Sequence, residues 1–307
     1  MEEDQKYHIY INKASGTVQN IGQESLENMI RNSNLPVAEL EFLSPPELFE
    51  TVKNYNKNEP LIIGGGDGTI KSCAETLIEK QTPFGFFPLG TMNLLARDLN
   101  IPIDLPSTIQ AYEKGTEIFE MDVGKVNGEH FLCCVGLGTM PETSEYREEN
   151  RSDSQPILIP KLTVYMLQQM DQRNRKKLTL NLDGKRQFLK TSALVVSNNQ
   201  YGPQGQWTED NFKRPNLQDG LLGIYSVAPK TFWEKVRFLL RLGIGDWKKD
   251  HALKEWSCRN LSIMSHNKTE LLSLDGETKE FNTPLQFLIL RKQLKIIVPK
   301  EATNNDE

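Results

Sequence analysis

The segment GGGDGT at residues 64–69 constrains the fold of this chain more than any other stretch of its sequence. It follows an apolar, strand-like run at residues 61–63, and apolar residues at helical spacing follow it over residues 70–78. Glycines between a strand and a helix let the backbone approach a ligand closely, and the first turn of a helix offers unpaired N–H groups to an anion. The pattern therefore predicts a phosphate-binding turn, although it lacks the lysine of a P-loop.

Asp67 lies in the middle of this turn, and the residue type allows two interpretations. Aspartate is a preferred helix N-cap, which is a purely structural role. A carboxylate beside a polyphosphate, by contrast, needs a bridging divalent cation or must accept a proton during the reaction.

A second strand, turn and short helix follow in the sequence FGFFPLGTMNLLARDL at residues 84–99. Two such units in succession predict a parallel α/β sheet, whose ligands bind outside the carboxyl ends of the strands. Both turns fall at those ends, so they can face one bound molecule. Thr91 in the second turn offers it a hydroxyl group and a backbone N–H.

These two turns, together with DGLL at residues 219–222 and DGE at residues 275–277, resemble the bacterial diacylglycerol-kinase-like lipid kinases. That superfamily includes sphingosine and ceramide kinases and, more distantly, NAD kinases. The resemblance implies an N-terminal α/β domain with a parallel sheet, followed by a C-terminal β-rich antiparallel sandwich. It also implies an ATP-dependent lipid kinase that acts in phospholipid biosynthesis, with diacylglycerol as the expected substrate and phosphatidic acid as the product.

The resemblance places the nucleotide on three turns, and this chain departs from the family pattern at several positions. Lys13 replaces a proline, Lys71-Ser72 replaces Asn-Glu, and Leu94 replaces an acid that Asp98 is positioned to supply. We expect Lys71 to be a solvated helix residue, with a phosphate contact as the alternative. The implied nucleotide-binding residues are Asn12, Lys13, Ala14, Ser15, Gly16, Ser44, Gly65, Gly66, Asp67, Gly68, Thr69, Ile70, Lys71, Ser72 and Thr91.

The segment Asp275-Gly276-Glu277 carries the predicted catalytic acids. An Asp-Gly pair is also a strong hairpin signal, so a purely structural turn is the alternative. A lipid hydroxyl is a poor nucleophile near neutral pH, and a carboxylate can accept its proton as it attacks the γ-phosphoryl group. The resemblance assigns that role to Glu277, with Asp275 alongside and Asp67 as the rival base.

The loop at residues 216–221 is the predicted metal site. One carboxylate among backbone carbonyls suits Mg²⁺, which prefers oxygen ligands, although an Asp-Gly turn before a strand is the simpler explanation. The resemblance implies a structural Mg²⁺ bound by the Asp219 side chain and by the carbonyl groups of Asn216 and Leu221.

Near residue 120 the sequence pattern changes from strand-turn-helix units to short alternating runs with turn signals. We predict an α/β nucleotide domain at residues 1–120 and a β-rich lipid domain at residues 121–290. The hairpin signal at residues 127–128 lies between predicted strands at 121–126 and 130–135. The one at residues 183–184 lies between predicted strands at 178–182 and 188–196. A strand is predicted near residues 285–290. Residues 291–307 are predicted to contain a separate strand near 294–298 that returns to the first domain, and then a disordered tail.

Composition narrows the class of protein. A net charge of −5 is unlike a bulk nucleic-acid binder, and the four cysteines lack metal-ligand spacing. The acidic N-terminus and the lack of a long apolar run predict a cytoplasmic protein. A lipid substrate implies peripheral attachment to a membrane surface, for which the basic, aromatic segment 230–249 is the candidate, unless it is a helix packed on the β domain.

A homodimer is compatible with the sequence. The sequence leaves two alternatives to a lipid kinase: an NAD-kinase-like phosphotransferase that acts on a soluble substrate, and a non-catalytic lipid or nucleotide sensor.

Overall fold

The computed structural model describes residues 6–149, 165–170, 175–202 and 212–300, so the predicted tail at 301–307 lies outside the described residues. The chain divides into two compact units, Met1–Met121 with Arg291–Glu307, and Asp122–Leu290. Two strands contain the points at which the chain passes between the units, β5 (Thr116–Val126) and β16 (Leu285–Pro299).

The first unit is built on a parallel sheet with the strand order β2-β1-β3-β4-β16. Every residue of β1, β3 and β4 is buried, as expected for strands covered on both faces by helices. The prediction of an N-terminal α/β domain with a parallel sheet is confirmed. The first four strands are β1 (Tyr7–Asn12), β2 (Val37–Leu43), β3 (Leu61–Gly65) and β4 (Phe84–Pro88).

Six described helices belong to the first unit, and local sequence fixes several of their ends. The backbone N–H and the hydroxyl of Ser44 both donate to the Glu47 carboxylate in a capping box at the start of α3. Asp104 caps α6 by accepting from the Ser107 N–H at 3.0 Å. The helices are α1 (Gly16–Ile21), α2 (Gln23–Arg31), α3 (Pro45–Asn54), α4 (Asp67–Lys80), α5 (Leu94–Asp98) and α6 (Leu105–Glu113).

The second unit is a sandwich of antiparallel strands. One sheet has the order β12-β11-β10-β7-β14-β15, and strands β16, β13, β8 and β9 form the other, beside the β5–β6 hairpin. Side chains from both layers, among them Leu137 of β7 and Leu180 of β8, share one core. The predicted β-rich sandwich is confirmed. The remaining strands are β6 (Glu129–Phe131), β7 (Cys134–Gly138), β8 (Lys176–Leu182), β9 (Lys185–Thr191), β10 (Ala193–Asn198), β11 (Leu222–Val227), β12 (Leu253–Cys258), β13 (Asn260–Ser265), β14 (Thr269–Leu274) and β15 (Glu277–Asn282).

Three hairpins of this sandwich have left-handed residues at both turn positions. The φ angles are 44° and 101° at Asn127-Gly128, 47° and 89° at Asp183-Gly184, and 50° and 95° at Asp275-Gly276. Two-residue hairpins favour such turns because their twist matches that of the flanking strands. The hairpin predictions at residues 127–128 and 183–184 are confirmed.

Two predicted strands are each two strands in the structure. Residues 130–135 divide between β6 and β7 because the N–H groups of residues 132–134 bind a side chain instead of a neighbouring strand. Residues 188–196 divide between β9 and β10, which lie in different layers of the sandwich. Conversely, the separate strands predicted near 285–290 and 294–298 form the single strand β16, with a φ of 52° at Lys292.

The second unit also contains the helices α7 (Thr139–Glu149) and α8 (Phe232–Gly243), a short 3₁₀ helix at Trp247–Lys249 and helical residues at 165–169. Within the described ranges, no helix combines the length and the hydropathy needed to cross a membrane.

The buried hydroxyl of Tyr112 joins two strands of the first unit, which gives a stability prediction. It accepts from the Phe86 N–H at 3.1 Å and donates to the Ile297 carbonyl at 3.0 Å. Tyr112→Phe leaves both backbone groups buried without this partner, so we expect a loss of about 1–3 kcal/mol in the free energy of unfolding, measured by urea denaturation. Tyr55→Phe is the control, because its hydroxyl donates to the carbonyl of the exposed Glu59, which water can satisfy. Equal losses in the two variants would contradict this account.

Candidate functional site

The GGGDGT turn is shorter than its sequence suggests. Strand β3 ends at Gly65, Gly66 is the N-cap, and α4 begins at Asp67. A Cβ on Gly64 would lie 2.8 Å from Cγ1 of Ile11, and one on Gly65 would lie 2.6 Å from Cβ of Thr69. The glycines therefore allow β1, β3 and α4 to pack closely, while the first N–H groups of α4 have no partners within the helix.

The PLGT turn at residues 88–91 contacts the GGGDGT turn through the backbone. A Cβ on Gly90 would lie only 2.6 Å from Cα of Gly66. Asn93 holds this second turn in place, because its Oδ1 accepts from the Gly90 N–H at 2.9 Å and its Nδ2 donates to the Gly90 carbonyl at 2.9 Å. The structure thus brings together the two turns that the sequence assigned to one ligand.

The loop at residues 12–16 is tied to the same place. Nδ2 of Asn12 donates to Oγ1 of Thr69 at 2.8 Å, and its Oδ1 accepts from the Ala14 N–H at 2.9 Å. The hydroxyl of Ser15 is buried and has no hydrogen-bond partner among the residues that the structure describes. An unsatisfied buried hydroxyl is costly, so this group suits a polar ligand such as a phosphate. The three turns therefore fit the phosphates of a nucleotide.

The other residues predicted to bind the nucleotide have varied surroundings. Thr91 is exposed in its turn, whereas the hydroxyl of Ser44 donates to Glu47 at 2.6 Å. Lys13 is exposed, with its Nζ 3.7 Å from the same glutamate.

Helix α4 contains three further predicted contacts, and one expectation about them is wrong. Ile70 is buried in the core, and the Ser72 hydroxyl donates to the Gly68 carbonyl at 3.0 Å. Lys71 is not a solvated helix residue, since only 7% of its surface is exposed. Its Nζ lies 4.0 Å from Oε1 of Glu75, one helical turn further along. The amphipathic pattern of α4 did not predict that the face of the helix with Lys71 is buried.

Asp67 caps a neighbouring helix with its carboxylate. Its Oδ1 accepts from the Leu95 N–H at 3.4 Å, at the start of α5. Burial raises the pKa of the Asp67 carboxyl, hydrogen bonds from the backbone of Leu94, Leu95 and Asn93 lower it, and the charge of Asp98 raises it. Asp98 follows Leu94 by four residues on α5, so it lies on the same face of that helix. The acid missing at Leu94 is thus present one turn later and near Asp67.

In the second unit, Asp275 is fully engaged by the backbone. Its two carboxylate oxygens accept from the N–H groups of Leu132, Cys133 and Cys134 at 2.7, 2.8 and 2.9 Å. Asp275 therefore fixes the loop at residues 132–134. Glu277 lies two residues later, exposed at the start of β15.

Arg214 holds the opposite side of the same loop, although only 1% of its surface is exposed. Its NH1 donates to the carbonyl groups of Leu132 and Asn198 at 2.6 and 2.8 Å. The Asp275 carboxylate thus accepts from the N–H groups of the loop at 132–134, and the Arg214 guanidinium donates to one of its carbonyl groups. Together they restrain the loop from two sides.

The predicted metal loop is attached to a buried acid that the sequence analysis did not single out. Oδ2 of Asp122 accepts from the Gly220 N–H at 2.7 Å and from Nδ2 of Asn199 at 3.0 Å. Burial and the Asp122 charge raise the pKa of the Asp219 carboxyl. Within the described part of the chain, Oδ1 of Asn199 is buried without a hydrogen-bond partner. Two nearby acids and an unsatisfied carbonyl oxygen fit a hydrated divalent cation, although the described residues contain no group of three or more His, Cys, Asp or Glu positioned for a metal.

Sequence reasoning missed Asn93, Asp122 and Arg214. Asn93 has a left-handed backbone, with φ 48° and ψ 47°, and asparagine directly after a glycine turn was an available signal. Asp122 and Arg214 act through contacts with residues distant in the chain, so no local pattern marks them.

The close approach of the two turns gives a direct test of the phosphate site. In Gly90→Ala the new Cβ collides with the Gly66 backbone, and separating the turns by roughly 1 Å should weaken ATP binding at least about tenfold. Gly243→Ala is the control, because a Cβ at Gly243 meets nothing within 4 Å. Calorimetric titration with ATP measures the ATP affinity of the two variants. Unchanged affinity in a folded Gly90→Ala protein would contradict a shared phosphate site.

Comparison with known proteins agrees with this geometry. Residues 6–126 match the family model of the diacylglycerol kinase catalytic domain. The chain is 23% identical over 265 residues to a diacylglycerol kinase of Staphylococcus saprophyticus, covering 84% of this chain and 83% of that protein. It is also 23% identical over 256 residues to one from Staphylococcus carnosus, covering 81% of this chain and 79% of that protein.

A solved structure shares the fold. The crystal structure of a diacylglycerol kinase from Bacillus anthracis superposes with a TM-score of 0.68 at 17% identity and covers 98% of this chain and 100% of its own. In the catalytic-domain match, the glycine turns and the order of the later motifs, this chain is similar to the diacylglycerol-kinase-like lipid kinases.

Proposed function

We propose that this protein transfers the γ-phosphoryl group of ATP to the hydroxyl group of a membrane lipid, with diacylglycerol as substrate and phosphatidic acid as product. In this reaction the bond between the γ-phosphorus and the β,γ-bridging oxygen breaks. A new bond forms to the lipid oxygen, the hydroxyl proton goes to a carboxylate, and ADP leaves. The relatives named diacylglycerol kinase support this choice of substrate.

The observation that carries the proposal is the backbone contact between Gly66 and Gly90. It places the N-terminal N–H groups of α4 and the PLGT turn side by side at the carboxyl ends of β3 and β4. The hydroxyl of Ser15 belongs to a loop linked to the same turn through Asn12 and Thr69. Such fixed donors bind a triphosphate and stabilise the charge that develops during transfer.

The acids of the second unit would have different tasks. Asp275 is a positioning residue, because both of its oxygens are occupied by backbone N–H groups. Glu277, exposed two residues beyond it, is our choice for the general base. Asp67 is less suited to accept the proton, because its carboxylate already caps α5.

Mg²⁺ is the cation that we propose for the loop at residues 216–221. The Asp219 carboxylate would bind it, together with the carbonyl groups of Asn216 and Leu221. Burial and then the charge of Asp122 raise the pKa of the Asp219 carboxyl, and the cation would offset the repulsion between these two acids. Its task there is structural, since it would hold the loop in place.

Labelled ATP tests the proposed activity. We expect the purified protein to transfer label to diacylglycerol in a total lipid extract, as resolved by chromatography. Glu277→Gln should lower the rate by about 100-fold or more while ATP affinity stays unchanged. Glu280→Gln, at another exposed position of β15, should retain activity. ATP binding without label in any lipid would indicate a sensor, and label in NAD instead of lipid would indicate an NAD-kinase-like enzyme.

The raised pKa of Asp67 predicts how stability depends on pH. A carboxyl with a raised pKa in the folded state binds its proton more tightly there than in the unfolded chain, so the protein loses stability as pH rises from the unfolded pKa through the folded one. Asp67→Asn removes this titration. Its melting temperature should therefore increase relative to wild type as pH rises above about 4 and then level off. A relative increase on acidification would mean that the carboxylate is stabilised by its surroundings instead.

A further inference from the structure

Helix α8 has an apolar stripe that its own unit leaves uncovered. The exposed fractions are 76% for Trp233, 65% for Leu240 and 37% for Ile244. These residues follow one another at spacings of seven and four, so they form a line along one face of the helix. Phe232, with 61% of its surface exposed, lies next to that line. We call these four residues the α8 stripe.

The opposite face of α8 already packs on the sandwich. Phe238 is buried in a cluster with Tyr225 and Trp247, and Leu239 and Leu242 are partly buried against it. Arg237 lies between Trp233 and Leu240 on the face of the α8 stripe, and it fixes the orientation of the helix through two bonds to the fully buried carboxylate of Asp250, at 2.8 and 3.0 Å. The helix therefore has its core contacts without the α8 stripe, and exposing four large apolar side chains needs another explanation.

The charge around the α8 stripe differs in sign from that of the whole chain. Residues 230–255 contain seven Lys and Arg and four Asp and Glu, a net charge of +3, whereas the chain has a net charge of −5. Lys249 and Lys254 are exposed within this segment. Basic residues beside an apolar helix face are attracted to anionic headgroups, and tryptophan favours the boundary between acyl chains and water.

From this combination we propose that the α8 stripe is the surface with which the protein lies on a bilayer containing anionic phospholipids. The inference rests on the proposed function, because a kinase that takes its substrate from a bilayer has to meet that bilayer. It goes further by naming the residues that enter the lipid and the charge of the lipid that they meet.

A second exposed apolar pair of the same unit provides a matched control. Phe188 on β9 and Met264 on β13 are 73% and 58% exposed. Both pair with Thr179 of β8, so they are two single residues on different strands and not a row of four along one helix. Basic residues such as Lys177 and Lys190 are nearby, which makes this face similar in composition but not in arrangement.

Vesicle sedimentation without nucleotide tests the proposal. We compare vesicles of phosphatidylcholine alone with vesicles that contain roughly 30% phosphatidylglycerol. The wild type should bind the anionic vesicles, and Trp233→Ser with Leu240→Ser should bind them at least about tenfold more weakly. Phe188→Ser with Met264→Ser should bind within about twofold of wild type. An equal loss in the control, no loss in the α8 variant, or no binding by the wild type would overturn the proposal.

Fluorescence locates the contact independently of these losses. Vesicles with brominated acyl chains should quench the tryptophan emission of the wild type. Both proteins carry Trp207→Phe, because Trp207 lies outside the described residues. Trp233→Phe keeps an aromatic side chain and should still bind, but most of the quenching should disappear, because Trp247 is buried and Trp256 is partly buried against the core. Quenching that persists in Trp233→Phe would show that another surface enters the lipid.

Two further measurements separate this inference from its alternatives. Phosphorylation of a short-chain diacylglycerol dissolved as monomers needs no membrane, so the α8 variant should keep the wild-type rate, which also shows that it is folded. If no protein phosphorylates this substrate, the proposed kinase activity fails while the vesicle result stands on its own. Light scattering of the eluting protein tests a second copy as the occupant. A wild-type dimer that becomes a monomer in the α8 variant would overturn the membrane proposal.

Discussion

The approach of two polypeptide backbones at Gly66 and Gly90 is the constraint on which the candidate site depends. A single Cβ at Gly90 would come within 2.6 Å of Cα of Gly66, so no other residue type fits there without moving a turn. The contact lets two successive strand-turn-helix units present their N–H groups to one anion. Asn93 maintains it by satisfying both polar groups of Gly90, and Asn12 connects the loop at residues 12–16. The candidate phosphate site is therefore a property of backbone packing more than of side-chain charge.

In the second unit, by contrast, charged side chains hold the loops at residues 132–134 and 216–221 in place. Asp275 binds three consecutive N–H groups of residues 132–134, and Arg214 binds a carbonyl of the same loop. Asp122, completely buried, holds Gly220 of the loop at residues 216–221. Such buried charges are stable only when hydrogen bonds replace lost hydration. In each loop one acid distant in sequence binds the backbone, whereas Glu277 is exposed and Asp219 is partly exposed.

The sequence predicted what local patterns encode. Strand-turn-helix repeats, Asp-Gly and Asn-Gly hairpins and alternating runs were sufficient for the parallel sheet and the sandwich, because those features depend on neighbouring residues. It failed where the outcome depends on distant contacts. The division between β6 and β7 follows from the Asp275 carboxylate, more than 140 residues away. The burial of Lys71 follows from packing around α4, and the roles of Asp122 and Arg214 follow from loops that meet only in the folded sandwich.

The raised pKa of Asp67 bears on why this chain retains an acid at that position. Burial and the neighbouring Asp98 both disfavour its charged form, so the folded protein holds a carboxylate in a place that costs stability. An asparagine would also accept hydrogen bonds from the N-terminus of α5, and it would carry no charge. A helix cap alone therefore does not explain the aspartate. Under the proposed function, a role that requires negative charge, such as holding a cation beside the phosphates, would explain it, and Asp98 one turn beyond Leu94 would share that role.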